Sequence, residues 1–339
     1  MSLDITKHIL LFENCQLIKG HSRTLLVDFQ RRNLEFIDNE IYNILAQKNR
    51  ELTVNEILES YSQEEKETIT EYLEFLLEKE YAFQCASNEV PFFPKISLEW
   101  DNPAIITNCI IDFEIIPNDF APYLNLISDL EKLGCEDIQI RAYNEFPIDF
   151  FRIFLPNFNS SIIQRIEILL KYSESLAYYK NFVKAFPRIC KLQLYSAPRS
   201  KVIELNKTQQ IILRKQKISN KNSCGIIDLN FFNLRLEHFC ESNHYNTCLN
   251  RKVSIDADGN IKNCPSLKTS FGNINDTRIV DVIKQKNFTK IWKIKKDNIE
   301  VCKDCEFRHI CTDCRAYHKS DYSLKKPTKC FYSPYLDKK

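Results

Sequence analysis

The sequence predicts an α/β protein in three parts, and three observations carry that reading. Strand-like runs punctuated by turn residues precede helical patterns near the start, strands alternate with helices through the middle, and eight of the fourteen cysteines fall in the last hundred residues. The chain has 339 residues, beyond the roughly 250–300 at which a single core stops growing. The expected division is a small α+β unit at 1–90, a parallel β/α unit at 91–235 and a cysteine-rich unit at 236–339.

In the first unit, Cys15–Lys19 and Arg23–Phe29 read as strands around the turn residues Gly20, His21 and Ser22, and Asn33–Ile37 as a third. Asp38 stands where an N-cap belongs, before Ile41, Ile44 and Leu45 at helical spacing. Thr53 with Glu56, and Ser62 with Glu65, are capping boxes opening two further helices. The last has an apolar stripe of Ile69, Tyr72, Leu73 and Leu76. A β-meander followed by three helices fits a winged-helix-like domain. DNA binding needs a basic surface, but residues 1–90 hold nine Lys/Arg against seventeen Asp/Glu, a net of −8. Peptide binding suits the pattern better. Asn33, Leu34, Glu35 and Phe36 would accept an extended peptide as an added strand, with Tyr72 and Leu76 of the third helix supplying side-chain pockets. The same strand could instead be covered by the chain's own next domain. The layout, with LEFIDNEIYNIL and LTVNEILESY in their expected places, resembles the small winged-helix leader-binding proteins of peptide maturation, first known from pyrroloquinoline quinone biosynthesis.

Val90–Pro94 reads as a linker. Strands are expected at Ala104–Phe113, Asp137–Arg141, Ile162–Leu170, Cys190–Tyr195 and Ile211–Lys217, with helices at Ala121–Leu133 and 173–185 between them. That alternation argues for a parallel sheet or partial barrel. The unit is too short for a complete eight-stranded (β/α) barrel of about 250 residues.

In the last unit, Lys252–Ile255 and Asn260–Lys262 flank Asp256-Ala257-Asp258-Gly259, a hairpin whose glycine can take positive φ. The hairpin brings Cys248 and Cys264 together. Residues Arg278–Lys295 read as helical. Cys302-x2-Cys305 and Cys311-x2-Cys314 follow, then Cys330. A C-x2-C pair lets two thiolates converge from a tight turn. Eight clustered thiolates match two four-cysteine metal sites. The scattered Cys15, Cys85, Cys109, Cys135, Cys190 and Cys224 read as buried small hydrophobes.

The string Cys-x10-Gly-x4-Cys, then Cys-x2-Cys-x5-Cys-x2-Cys and a last Cys, resembles the SPASM domain. That resemblance implies two [4Fe-4S] clusters. One would take Cys248, Cys264 and Cys314 with an upstream cysteine, for which Cys240 stands at a suitable distance. The other would take Cys302, Cys305, Cys311 and Cys330. The final pair departs from the family, having two intervening residues where three are usual. Structural zinc on the same thiolates is the alternative. Residues 248–339 carry twenty Lys/Arg against eleven Asp/Glu, a net of +9, which suits thiolate-ligated centres or a solvated basic face.

SPASM domains usually stand behind a radical-SAM barrel bearing C-x3-C-x2-C. No such triplet occurs in this chain. Where it should follow the first barrel strand the sequence reads IDFEIIP, and Arg141–Glu145 replaces the expected Gly-Gly-Glu segment. The middle unit thus resembles a truncated radical-SAM fold, and no S-adenosylmethionine is expected. The three parts together resemble the SPASM-domain peptide maturases of grasp-with-spasm ribosomal peptide systems. The resemblance implies a precursor peptide leader and an ATP-grasp ligase as partners. The chain would then be a maturase or accessory protein rather than a radical-SAM enzyme by itself.

Composition excludes other classes. Five glycines leave no Gly-rich phosphate loop. A net charge of +2 gives no electrostatic case for nucleic acid or membrane binding. No apolar run reaches a membrane span and no secretory signal opens the chain, so a cytoplasmic protein is expected. His8, His21, His238, His244, His309 and His318 are expected at the surface, with His238, His244 and His309 alternatively supporting the cysteines.

Overall fold

The computed structural model describes residues 3–336. The first unit opens with β1 (His8–Leu11), β2 (Cys15–Lys19), β3 (Thr24–Asp28) and β4 (Asn33–Ile37). Strands β2, β3 and β4 form an antiparallel meander in which β4, among the described residues, pairs only with β3. Every residue of β3 is buried, because the sheet is covered on both faces. Leu26 faces the helices, while Leu25 and Val27 face Phe239, Phe307 and Ile310 of the cysteine-rich unit.

Helices α1 (Asn39–Asn43), α2 (Val54–Leu58) and α3 (Gln63–Glu78) follow. Asp38 caps α1 by accepting from the Glu40 amide. The Thr53–Glu56 and Ser62–Glu65 capping boxes close on both sides, satisfying orphan N–H groups at each helix start. Strand β5 (Ala82–Cys85) returns to pair with β1, a two-stranded sheet the sequence reading missed. Short apolar runs such as HILL do not distinguish strand from helix by period.

The middle unit contains β6 (Asn108–Phe113), α4 (Ala121–Lys132), β7 (Asp137–Ala142), α5 (Ile148–Phe154), β8 (Arg165–Lys171), α6 (Leu176–Ala185) and β9 (Ile189–Tyr195), then β10 (Lys201–Glu204) and β11 (Gln210–Leu213). Strands β6 to β9 are parallel, as the alternation requires. One face carries Cys109, Ile111, Ile138, Ile140, Ile168 and Leu192 and packs under the helices. Helix α5 was not predicted. Its Phe150 and Phe154 join Phe113 and Tyr123 in an aromatic cluster beneath the sheet.

The sheet does not stop at the boundary predicted at residue 236. After α7 (Leu236–Ser242), strand β12 (Lys252–Ile255) lies parallel to β6, pairing Lys252 with Asn108, and β13 (Ile261–Lys262) completes the hairpin. The result is one mixed eight-stranded sheet in the order β10-β11-β9-β8-β7-β6-β12-β13. Val253 and Ile255 are fully buried by this pairing, which ties the cysteine-rich region to the middle unit. The helix predicted over Arg278–Lys295 is broken into α8 (Ile279–Val282), α9 (Lys286–Lys290) and a single turn at Ile291–Lys293. Gln285, at ψ 119°, leaves the helical region and interrupts it. Among the described residues, no helix is long and apolar enough to cross a membrane.

Candidate functional site

Two cavities are walled by cysteines. The first to consider is formed at the chain's C-terminal end. Cys302 opens a single turn entered from Val301 in the left-handed region, and the Cys305 amide donates to the Cys302 carbonyl at 3.0 Å. This tight turn sets both sulfurs on one side. Cys311 and Cys330 complete a cavity of about 450 Å³.

Lys296, 4% exposed, reaches the same cavity with its Nζ 3.2 Å from Cys311 Sγ and 3.3 Å from Asp313 Oδ1. Burial alone would lower its pKa, but the Asp313 carboxylate and the Cys311 and Cys302 sulfurs outweigh that effect and hold it above the usual value. A fixed buried cation beside thiols favours their thiolate form. Burial nonetheless raises the Cys302 thiol to about 11 and pushes Cys305 upward too.

The second cavity, about 350 Å³, lies between the cysteine-rich region and the sheet. The β12–β13 hairpin brings Cys248 and Cys264 to it, as the sequence predicts, and Cys314 joins them. The fourth cysteine on its wall is Cys224. Cys240 lines neither cavity: it is buried on α7, where burial raises its pKa. On this wall Cys224 thus stands where Cys240 was expected, and Cys224, read as a buried small hydrophobe, is exposed. The exposed Cys224 is held in place through its backbone. Its carbonyl accepts from Tyr317 Oη at 3.1 Å and Lys329 Nζ at 2.6 Å. Gly225 follows at φ +80°, and a Cβ there would lie 2.6 Å from Cys314 Sγ. The Cys-Gly pair is the sequence signal for this close approach, whereas sequence distance to Cys248 favours Cys240.

Residues 247–306 match the family model of SPASM, an iron-sulfur cluster-binding domain. The SPASM segment includes Cys248, Cys264, Cys302 and Cys305. No curated protein matches the chain. Among solved structures, Streptococcus suis SuiB bound to S-adenosylmethionine is similar at 11% identity and TM-score 0.32, over 96% of this chain and 100% of that one. SuiB bound to precursor peptide SuiA gives 9% identity and TM-score 0.31, over 96% and 100%. A heterocyclase in complex with substrate and cofactor gives 16% identity and TM-score 0.20, over 44% and 22%. Likenesses this low carry neither fold nor function across.

The donor chemistry around the SPASM segment fits an iron-sulfur cluster. Each cavity offers four thiols.

Opposite the sulfurs, the second cavity is bounded by the polar face of the sheet, including Gln139, Arg141, Gln193 and Arg214. Arg141 is fixed by a buried fork to Asp112, with Nε–Oδ1 2.6 Å and Nη2–Oδ2 2.8 Å. Arg214 donates to Gln193 at 3.2 Å.

The predicted peptide-binding residues divide. Asn33, Leu34, Glu35 and Phe36 lie on β4, an edge strand. Leu34 packs toward Phe307, and Phe36 is 44% exposed. Glu35 accepts from Tyr81 Oη at 3.3 Å. Tyr72 is half-buried against the helical core. Leu76 is fully buried there, so it supports α3 and lines no surface pocket.

Histidines depart from expectation as well. His8, His309 and His318 are buried rather than at the surface. His309 meets Ser242 Oγ through Nδ1 at 3.0 Å, and burial lowers its pKa to about 4.

Proposed function

We propose that this chain is an iron-sulfur accessory protein, or maturase, for a ribosomally made peptide. Each cysteine quartet holds one [4Fe-4S] cluster: Cys302, Cys305, Cys311 and Cys330 in one, and Cys224, Cys248, Cys264 and Cys314 in the other. The observation that carries this reading is the separation of eight cysteines into two cavities, four on the wall of each, around a segment that matches an iron-sulfur domain. Cluster assembly is coupled to folding, because burial disfavours the free thiolates of Cys248, Cys264, Cys302, Cys305 and Cys314.

The N-terminal unit is read as a winged-helix-like domain that holds the precursor leader as a strand along β4. That strand's free edge supports the reading. The middle unit is read as a truncated radical-SAM-like fold without S-adenosylmethionine chemistry of its own, since the C-x3-C-x2-C triplet is missing from the sequence. Modification of the peptide then falls to a partner, an ATP-grasp ligase of a grasp-with-spasm system.

Anaerobic purification with iron, sulfide and zinc analysis tests the cofactor. Stoichiometric iron and sulfide with broad visible absorbance is expected; zinc in their place would overturn it. Calorimetric titration of the full chain with candidate leaders encoded beside its gene tests the peptide half, which falls if none binds.

A further inference from the structure

The wall of the Cys302 cavity carries a buried cation that shares its carboxylate with a second one. Lys296 opens a single turn at Lys296–Asn298. Its neighbour Lys295 binds the Asn243 carbonyl, while Lys296 lines the cavity of Cys302, Cys305, Cys311 and Cys330. Lys296 Nζ donates to Cys311 Sγ at 3.2 Å and meets Asp313 Oδ1 at 3.3 Å. Asn246 Nδ2 donates to the other carboxylate oxygen of Asp313 at 2.8 Å and so fixes the group. The fully buried Arg315 reaches the same Oδ1 with Nη1 at 3.7 Å. One carboxylate thus stands between two cations, and the triad keeps a net positive charge beside the Cys311 sulfur.

Folding alone does not call for a lysine here. Apolar side chains of similar volume often replace a buried ion pair without loss of stability. A cluster does call for one. Four thiolates make an oxidised [4Fe-4S] cluster a dianion, and one-electron reduction makes it a trianion. A cation hydrogen-bonded to a ligand sulfur stabilises the trianion more than the dianion, and such hydrogen bonds help set cluster potentials. At the other quartet, Lys252 Nζ stands 4.0 Å from Cys248 Sγ, at the outer limit for a hydrogen bond to sulfur.

We propose that Lys296 is a positioning residue of the Cys302 quartet, acting through Cys311 to raise the reduction potential of the cluster held there. The proposal rests on the iron-sulfur reading above and deepens it. A cluster poised in this way accepts one electron more readily, which makes the Cys302 quartet a redox site rather than a purely structural one.

The test is a potentiometric titration of the full, cluster-loaded chain with dithionite, followed by EPR. The signal that survives in Cys224→Ser is assigned to the Cys302 quartet. Lys296→Met removes both charge and donor in a similar volume. At a fixed potential it should lower the ratio of reduced to oxidised Cys302 cluster about tenfold or more, which is about 59 mV per tenfold for a one-electron couple. Lys296→Gln, which keeps an N–H donor without the charge, should produce part of that shift. Lys252→Met, beside Cys248, should leave the Cys302 signal where it is. An unchanged Cys302 potential in Lys296→Met would overturn the proposal, as would an equal shift of both clusters. Loss of the Cys302 cluster in both Lys296 variants would also overturn it, since Lys296 would then serve assembly rather than potential. Zinc in place of iron in the wild type would sink the iron-sulfur reading itself, whereas two iron clusters without a selective shift would sink this proposal alone.

Discussion

Arg23 Nε donates to Glu306 Oε1 at 2.9 Å, across 283 residues of sequence. Glu306 is 2% exposed and directly follows Cys305. The same guanidinium lies 3.4 Å from the Phe36 ring centroid, and the His21 amide donates to the Asp304 carbonyl at 2.8 Å. The meander's tip is thus clamped onto the turn that carries Cys302 and Cys305. Gly20 makes this possible, because a Cβ there would lie 2.9 Å from Glu306 Cβ.

Arg23→Ala should cost about 1–2 kcal/mol, the partial exposure of Arg23 tempering the loss of a charge-assisted bond. Denaturation in urea reads the change. A double-mutant cycle with Glu306→Gln should return a coupling energy of the same sign. Strictly additive single losses would show that the pair does not hold the two units together.

The Cys224 assignment separates from Cys240 by direct substitution. Cys224→Ser should remove one cluster, roughly half of the bound iron, while Cys240→Ser should retain the full complement. Iron analysis and reduced-state EPR distinguish the two. The reverse result would return the ligand to α7.

Much of this arrangement was legible before the fold was known. The capping residues Asp38, Thr53 and Ser62 announce their helices because their chemistry is local. The C-x2-C pairs are equally local, since the turn that aligns them is built from adjacent residues. What sequence could not supply depends on distant partners. The pairing of Lys252 with Asn108 joins strands 144 residues apart. The choice between Cys224 and Cys240 turns on which loop Tyr317 and Lys329 tie down. Leu76 reads as one residue of an apolar stripe, and the stripe alone does not separate the buried positions from the half-buried Tyr72.

Gly225→Ala tests the close approach to Cys314. At φ +80° an alanine is strained by roughly 1–2 kcal/mol, and its Cβ would also meet Cys314 Sγ at 2.6 Å. The variant should fold but lose the signal of the Cys248 quartet selectively, leaving that of the Cys302 quartet. Equal loss of both signals would mean a global defect instead.

The Asp112–Arg141 fork is buried at both ends, with the two side chains 2% and 5% exposed. Asp112→Ala leaves an uncompensated cation and should cost about 3–5 kcal/mol. Replacing both partners, Asp112→Leu with Arg141→Met, should recover most of that loss. Thermal and urea unfolding of the three variants provide the comparison. A double variant as unstable as Asp112→Ala would show that Arg141 contributes through contacts other than the fork.

Asp256 in the hairpin turn sets a pH limit on the region that carries Cys248 and Cys264. Its carboxylate accepts from the Asn260 amide at 2.9 Å and meets Lys262 Nζ at 2.8 Å. Burial pushes its pKa up, but the Lys262 and Asn260 hydrogen bonds outweigh burial and hold it below the usual carboxylate value. A depressed folded pKa contributes stability that is complete above the unfolded value, about pH 4, and is lost as pH falls through the folded one. Asp256→Asn keeps the amide contacts but leaves Lys262 without its counter-charge. It should destabilise by about 1–3 kcal/mol at neutral pH. The gap between wild type and variant should then narrow on acidification below about pH 4. Melting temperatures across that range decide it: a gap that stays constant into acid would show that the carboxylate's charge is not what stabilises the turn.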